Sequence, residues 1–241
     1  MSKKKFVANV GYRGAAKYLH AIRDLELQEY FSVFTGGTFK ADEIREWKED
    51  PHLSGLMFWF CMDNLGGIKR KLYLAVEPKY NFSYPQELAD FEKVRWEPKL
   101  KTLPIPGQFF GETIFNTSED EMNEFLQKHK KVKFKKNGTK ENVEVIKDVN
   151  NFKGDPLLSK FQKYPFAYFI SKENEDNYFD NFFNSGDVKY IRYYLGFDEC
   201  YFPNKLRLIL VPVGEGGENI VNENILSDYL LQKSWPPPPE T

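Results

Sequence analysis

The sequence predicts an α+β protein with largely antiparallel sheets and short helices. Runs rich in aromatic and aliphatic residues have strand length, they come in pairs joined by short turns, and the helical periodicities between them are brief. Parallel βαβ crossovers need strands alternating regularly with longer helices, and that pattern is missing. At 241 residues, 41% hydrophobic and 17% aromatic, the chain can bury a core without disulfide or metal staples.

The first helix is expected over residues 13–28, where Ala16, Leu19, Ala21, Ile22, Leu25 and Leu27 fall mostly at helical spacing. Phe31, Val33 and Phe34 then form a short aromatic strand that Gly36 and Gly37 break, and Thr38 or Asp42 caps a helix running to Glu49 before Pro51. Residues 56–62 and 71–77 make a hairpin around a turn at residues 63–67, which ends in two glycines. Pro78, Pro85, Pro98, Pro104 and Pro106 mark loops and edge strands. Ser118 and Glu121 are spaced as a capping box for a helix carrying Met122, Phe125 and Leu126 up to His129. A second hairpin is expected where Val132 and Phe134 alternate with lysines and Asn137 and Gly138 turn the chain into residues 143–149.

The same order then returns. Phe166, Tyr168 and Phe169 read as a strand and residues 174–183 as a helix. Residues 190–197 and 205–211 read as two strands around a turn at 198–204. Phe31 aligns with Phe166, Trp47 with Phe182 and Asp63 with Asp198, which reads as a divergent internal duplication of about residues 30–78 and 165–212. The organisation expected is an N-terminal α+β half (1–116), a connecting helix and hairpin (117–152), a C-terminal α+β half (153–233) and a Pro-rich tail (234–241) after a helix at 223–231.

Charge excludes few partners and favours none: 34 basic against 35 acidic residues leave a formal charge of -1, with no general field to gather phosphates. The basic residues near the N-terminus lack the apolar run of a signal peptide, no stretch has the length of a membrane helix, and Cys61 and Cys200 are the two cysteines. A cytoplasmic protein is expected, with no membrane contact.

Asp63 and Asp198 each follow an aromatic strand and could form a symmetric carboxylate pair, with Glu199 beside Asp198; acids held close split their pKa values into an acid and a base. The competing reading is that each aspartate opens a turn. Lys131, Lys133 and Lys135 could contact phosphates around Phe134, but their alternation also describes a solvated strand face, and nucleic-acid binding is ranked third. His20, His52 and His129 are scattered, so no metal and no cofactor is expected. The segment around Gly11 and Gly14 matches neither familiar phosphate cradle. Trp235, Pro236 and Pro237 form a preorganised end that aromatic grooves bind, and Tyr193 and Tyr194 are candidates for a recognition surface. The leading expectation is a non-catalytic interaction protein of adaptor or inhibitor type with an unidentified protein partner. The alternative is a small-molecule-binding protein or hydrolase-like enzyme using the paired carboxylates.

Overall fold

Strand β2 (Leu53–Leu65) is apolar at nearly every position because both of its faces are covered. Side chains alternate across a strand. Leu56, Phe58, Phe60 and Met62 enter one buried cluster, and Met57, Trp59 and Cys61 enter another on the opposite face. The computed structural model that gives this arrangement describes residues 12–21, 36–65, 69–83, 85, 90, 93, 95–107, 109–110, 118–127, 133–134, 138–156, 158, 167–173, 187–197 and 206–220.

Among the described residues, two three-stranded antiparallel sheets organise the fold, confirming the α+β class. In one, β1 (Gly36–Lys40), β9 (Tyr190–Phe197) and β10 (Leu206–Val213) lie in that order; in the other, β3 (Lys69–Tyr80), β2 and β8 (Ala167–Ser171). The two expected hairpins, β2 with β3 and β9 with β10, are present in antiparallel register. Each sheet joins a hairpin to a strand distant in sequence: Gly36 pairs with Tyr194, and Gly55 with Ser171. The shared core holds Phe58, Phe60, Leu74 and Val76 from one sheet, and Phe39, Ile191, Leu195, Leu208 and Leu210 from the other. Pro78 and Pro212 both lie on edge strands, where a missing N–H is tolerated.

Helices close the outer faces. α1 (Tyr12–Ala21) sets Ala15, Ala16 and Leu19 on Tyr194, Ile209 and Val211, together with Met122 and Leu126 of α3 (Glu119–Gln127). The Ser118 and Glu121 box is formed as the spacing predicts: the Ser118 N–H donates to Glu121 Oε2 at 2.8 Å, and the Glu121 N–H to Ser118 Oγ at 3.2 Å. α2 (Ala41–Lys48) buries Ala41 and Ile44 against the shared core. Neither Thr38 nor Asp42 caps it: Thr38 lies within β1, Asp42 lies inside the helix, and the Ala41 N–H donates instead to the Lys189 carbonyl at 3.0 Å.

The hairpin expected at residues 132–149 does not form. β6 (Lys133–Phe134) pairs with β5 (Phe109–Phe110), and β7 (Gly138–Glu141) with β4 (Thr102–Ile105); residues expected in the return strand belong to helix α4 (Asn142–Gly154). Glu141 and Glu144 make a reciprocal capping box, and Val145, Asp148, Val149 and Phe152 repeat at helical spacing along the buried face. Among the described residues, β8 pairs with β2 as far as Trp59. Beyond it α4 lies alongside, with Asn151 Nδ2 donating to the Met62 carbonyl at 3.2 Å and Phe152 stacked on Phe60.

Gly36 and Gly37, expected to break a strand, open β1. A Cβ on Gly37 would sit 2.5 Å from Pro106 Cβ, so the glycine permits a close crossing of chain segments. Gly55 is more constrained. Its Cβ would stand 2.2 Å from the Ile170 carbonyl oxygen, a backbone atom held in the β2–β8 ladder. Gly55→Ala is expected to cost at least about 2 kcal/mol in urea unfolding. Gly154→Ala, with no atom of the described residues outside its own helix backbone and chain neighbours within 4 Å of the added carbon, is the control and should be neutral or stabilising. Equal midpoints for the two variants would refute this account.

The expected strand at residues 31–34, the helix at 174–183, the turn at 198–204, the helix at 223–231 and the tail lie outside the described residues, as do positions 22–28 of the first helix. No helix among the described residues is long and apolar enough to cross a membrane.

Candidate functional site

The outer face of the β2–β3 hairpin carries two polar groupings, built by alternation along paired strands. Register places Met57 opposite Glu77, Trp59 opposite Ala75, Cys61 opposite Tyr73 and Asp63 opposite Lys71. Asp63 and Tyr73 lie toward one end, with Glu77 and Lys79 toward the other.

At the first end, Lys140 of β7 bridges two carboxylates. Its Nζ lies 2.8 Å from Asp148 Oδ2 of α4 and 3.3 Å from Asp63 Oδ2, and 4.8 Å from the centre of the Tyr73 ring. The Tyr73 hydroxyl donates to Asp148. Asp63 is therefore a strand residue rather than the opener of a turn, and its neighbouring acid is Asp148; Asp198 and Glu199 lie outside the described residues. Burial lowers the Lys140 pKa, but the hydrogen bond and charge of Asp148 and the charge of Asp63 outweigh it, and the net shift is upward. An ammonium ion between two carboxylates offsets one of their two charges and holds them together, which is the arrangement of a structural tie. Cys61 lies buried beside this group, its pKa pushed up by burial and by the Asp148 charge, so its thiol stays protonated and unreactive.

At the second end lies a cleft of about 210 Å³ lined by Met57, Trp59, Lys79, Phe82, Trp96 and Leu100 among others. Glu77 anchors its floor. One carboxylate oxygen, Oε2, accepts the Trp59 indole N–H at 2.9 Å and pairs with Lys79 Nζ at 2.7 Å. The other, Oε1, accepts the backbone N–H groups of Lys99 and Leu100 at 2.7 and 3.2 Å. The pair is deeply buried, with side-chain exposures of 9% for Lys79 and 2% for Glu77. Lys79 Nζ also stands 5.2 Å from the Trp59 ring centre. Its pKa is lowered: burial dominates, and Glu77 opposes it.

α4 and the turn after β3 hold the walls. Lys153 donates to the Trp96 carbonyl at 3.1 Å and Asn142 Nδ2 to the Pro98 carbonyl at 2.9 Å, which fixes residues 96–98 against the helix. Asn81 adopts φ 49°, a left-handed conformation that asparagine tolerates better than most residues. That reversal sends Phe82 back to the cleft, where its N–H donates to Ser54 Oγ at 2.8 Å and its ring meets Phe169 edge-on at 5.2 Å.

Tyr193 and Tyr194, expected on a recognition surface, are each 2% exposed. They point to opposite faces of β9 and both faces are covered: Tyr193 enters the core between the sheets, where its hydroxyl accepts the Leu74 N–H at 3.3 Å, and Tyr194 packs beneath α1 and α3. Arg13, in the segment considered as a phosphate cradle, forms ion pairs with Asp120 and Glu119 of α3. Lys133 lies in β6, while Lys131, Lys135, Trp235, Pro236 and Pro237 lie outside the described residues. Among the described residues, no group of three or more His, Cys, Asp or Glu side chains is placed to hold a metal ion.

Trp59, Glu77, Lys79 and Trp96 were not singled out by sequence reasoning. The signal was present at positions 77 and 79, where two charges share one face of a strand whose other face carries Leu72, Leu74 and Val76.

The buried phenols carry a pH signature. Burial, with Cys61 and Asp148, raises the Tyr73 pKa above the usual 10.0, and burial also raises Tyr193 and Tyr194. Above pH 10.0 the native state then holds protons that the unfolded chain releases, so stability falls as pH rises. Lys140, raised above 10.5, acts in the same direction, whereas Lys79 and Lys153, both lowered, add stability only as pH climbs toward 10.5. Cooperative alkaline unfolding is expected above about pH 10.5, with a fraction of the tyrosines ionising only as circular dichroism is lost. Smooth ionisation of all tyrosines near pH 10 in folded protein would contradict it.

Comparison of the chain with protein-family models finds no match, and neither does comparison with curated proteins or with solved structures.

Proposed function

We propose that this protein binds a small organic molecule, without transforming it, in the cleft lined by Trp59 and Trp96. The observation that carries this reading is the cleft itself: aromatic side chains around a few convergent polar groups are the usual make-up of a ligand site. Binding is favoured over catalysis because Glu77, the buried carboxylate of the cleft, is committed to the Trp59, Lys79, Lys99 and Leu100 donors and cannot serve as a general base. The polar group at the other end of the hairpin is likewise closed by Lys140. The setting we propose is the cytoplasm, where Cys61 remains a buried neutral thiol.

Tryptophan fluorescence of the full chain, titrated with aromatic compounds of one and two rings, tests the proposal. A saturable change that disappears in Leu100→Phe, a substitution that fills the cleft, is the expected result. Absence of saturable binding up to millimolar concentration sinks it.

A further inference from the structure

The cleft selects by size, by shape and by charge. Its volume of about 210 Å³ exceeds the roughly 150 Å³ cavity that holds benzene and falls below the roughly 300 Å³ at which drug-sized sites begin. That admits one ring or two fused rings bearing one small substituent. Trp96 and Phe82 supply the flat apolar surface, with Trp59 buried behind them at 1% exposure, which suits a planar occupant.

Selection by charge follows from the hydrogen-bonding capacity that remains. A carboxylate offers about four acceptor sites, and those of Glu77 are met by Trp59, Lys79, Lys99 and Leu100. Glu77 has nothing left to offer a ligand donor. An ammonium ion has three N–H donors, and among the described residues Lys79 uses one, toward Glu77. Because Glu77 is also satisfied by three neutral N–H groups, Lys79 retains electrostatic reach toward a second anion. At the rim, Arg95 pairs with Glu97 at 3.0 Å and Lys99 adds a further positive charge, so the charged lining carries one more cation than anion among the described residues. Among the groups of the floor it is therefore the Lys79 ammonium that has N–H donors left for an acceptor-bearing group.

We propose that the ligand is an aromatic carboxylate of one or two rings, its ring against Phe82 and Trp96 and its carboxylate on the Lys79 ammonium. This inference rests on the ligand-binding reading above and narrows it to a chemical class.

Calorimetry on the full chain compares isosteric probes: benzoate against benzamide, and naphthoate against naphthamide. The acid of each pair is expected to bind at least about tenfold more tightly than its amide, and Lys79→Gln to erase the difference. Equal affinity for acid and amide overturns the class and leaves ligand binding standing; failure of all four probes overturns both. A preference for acids that persists in Lys79→Gln overturns the assignment to Lys79. Should that variant fail to fold, nitrogen-resolved NMR of labelled lysine in the unmodified chain decides: one buried lysine must shift with benzoate and not with benzamide, and no shift refutes the contact.

Discussion

Replacing Glu77 with alanine is expected to lower the free energy of unfolding by about 3–5 kcal/mol, the cost of breaking a buried ion pair from one side. The substitution leaves the Lys79 ammonium in a site where its side chain is only 9% exposed, and it removes the acceptor for the Trp59, Lys99 and Leu100 N–H groups. Urea unfolding at neutral pH measures the loss. The double variant Glu77→Ala/Lys79→Met should be more stable than Glu77→Ala alone, since it discards the orphaned charge. The loss should also shrink toward alkaline pH. Glu77 holds the Lys79 pKa up against burial, so its removal lowers that pKa further in the folded variant, which then gains more stability than the parent as pH rises toward 10.5. A double variant as unstable as the sum of its parts would show that Glu77 and Lys79 act independently.

Phe60→Ala should cost a similar amount, about 3–5 kcal/mol, for a different reason. The ring is fully buried, stacked on Phe152 at 4.9 Å and 12° between planes, and edge-on to Tyr168 at 5.2 Å. It joins β2 to α4 and β8, so truncation opens a cavity that three elements border and none can fill alone. A double-mutant cycle with Phe152→Ala should report coupling of about 0.5–1.5 kcal/mol from the ring pair. Val143→Ala, on the outer side of α4 and 72% exposed, should change stability by less than about 0.5 kcal/mol. Coupling near zero in the cycle would mean that the stacked geometry contributes nothing beyond burial.

Local signals were legible where one physical cause dominated. The two hairpins followed from apolar runs flanking short turns, and α3 from Ser118 and Glu121 ahead of Met122 and Leu126. Two signals competed at residues 137–152. Asn137 and Gly138 are strong turn formers and Val143, Val145 and Val149 are β-branched, which favoured a hairpin; the capping box and the spacing of Val145, Val149 and Phe152 favoured the helix that forms. Long-range burial decided between them, because α4 packs along β2 at Phe60 and Met62.

The candidate site was less legible, since its parts come from distant stretches of sequence. Trp59 and Glu77 meet through the β2–β3 register, Trp96 arrives on a loop held by α4, and Asp63 and Asp148 meet through Lys140 of a third strand. Tyr193 and Tyr194 show the converse difficulty. Adjacent aromatics resemble a sticky surface until both faces of their strand are known to be covered.

The exchange of strands between the two sheets bears on how a ribosome can deliver this chain. Gly36 emerges early, yet its partner Tyr194 is translated on the order of ten seconds later at ordinary elongation rates. Gly55 waits about three-quarters as long for Ser171. Throughout that interval the nascent β2–β3 hairpin carries Phe58, Phe60, Leu74 and Val76 on a face whose cover has not yet been made. Slowing elongation would lengthen that exposure rather than help the fold.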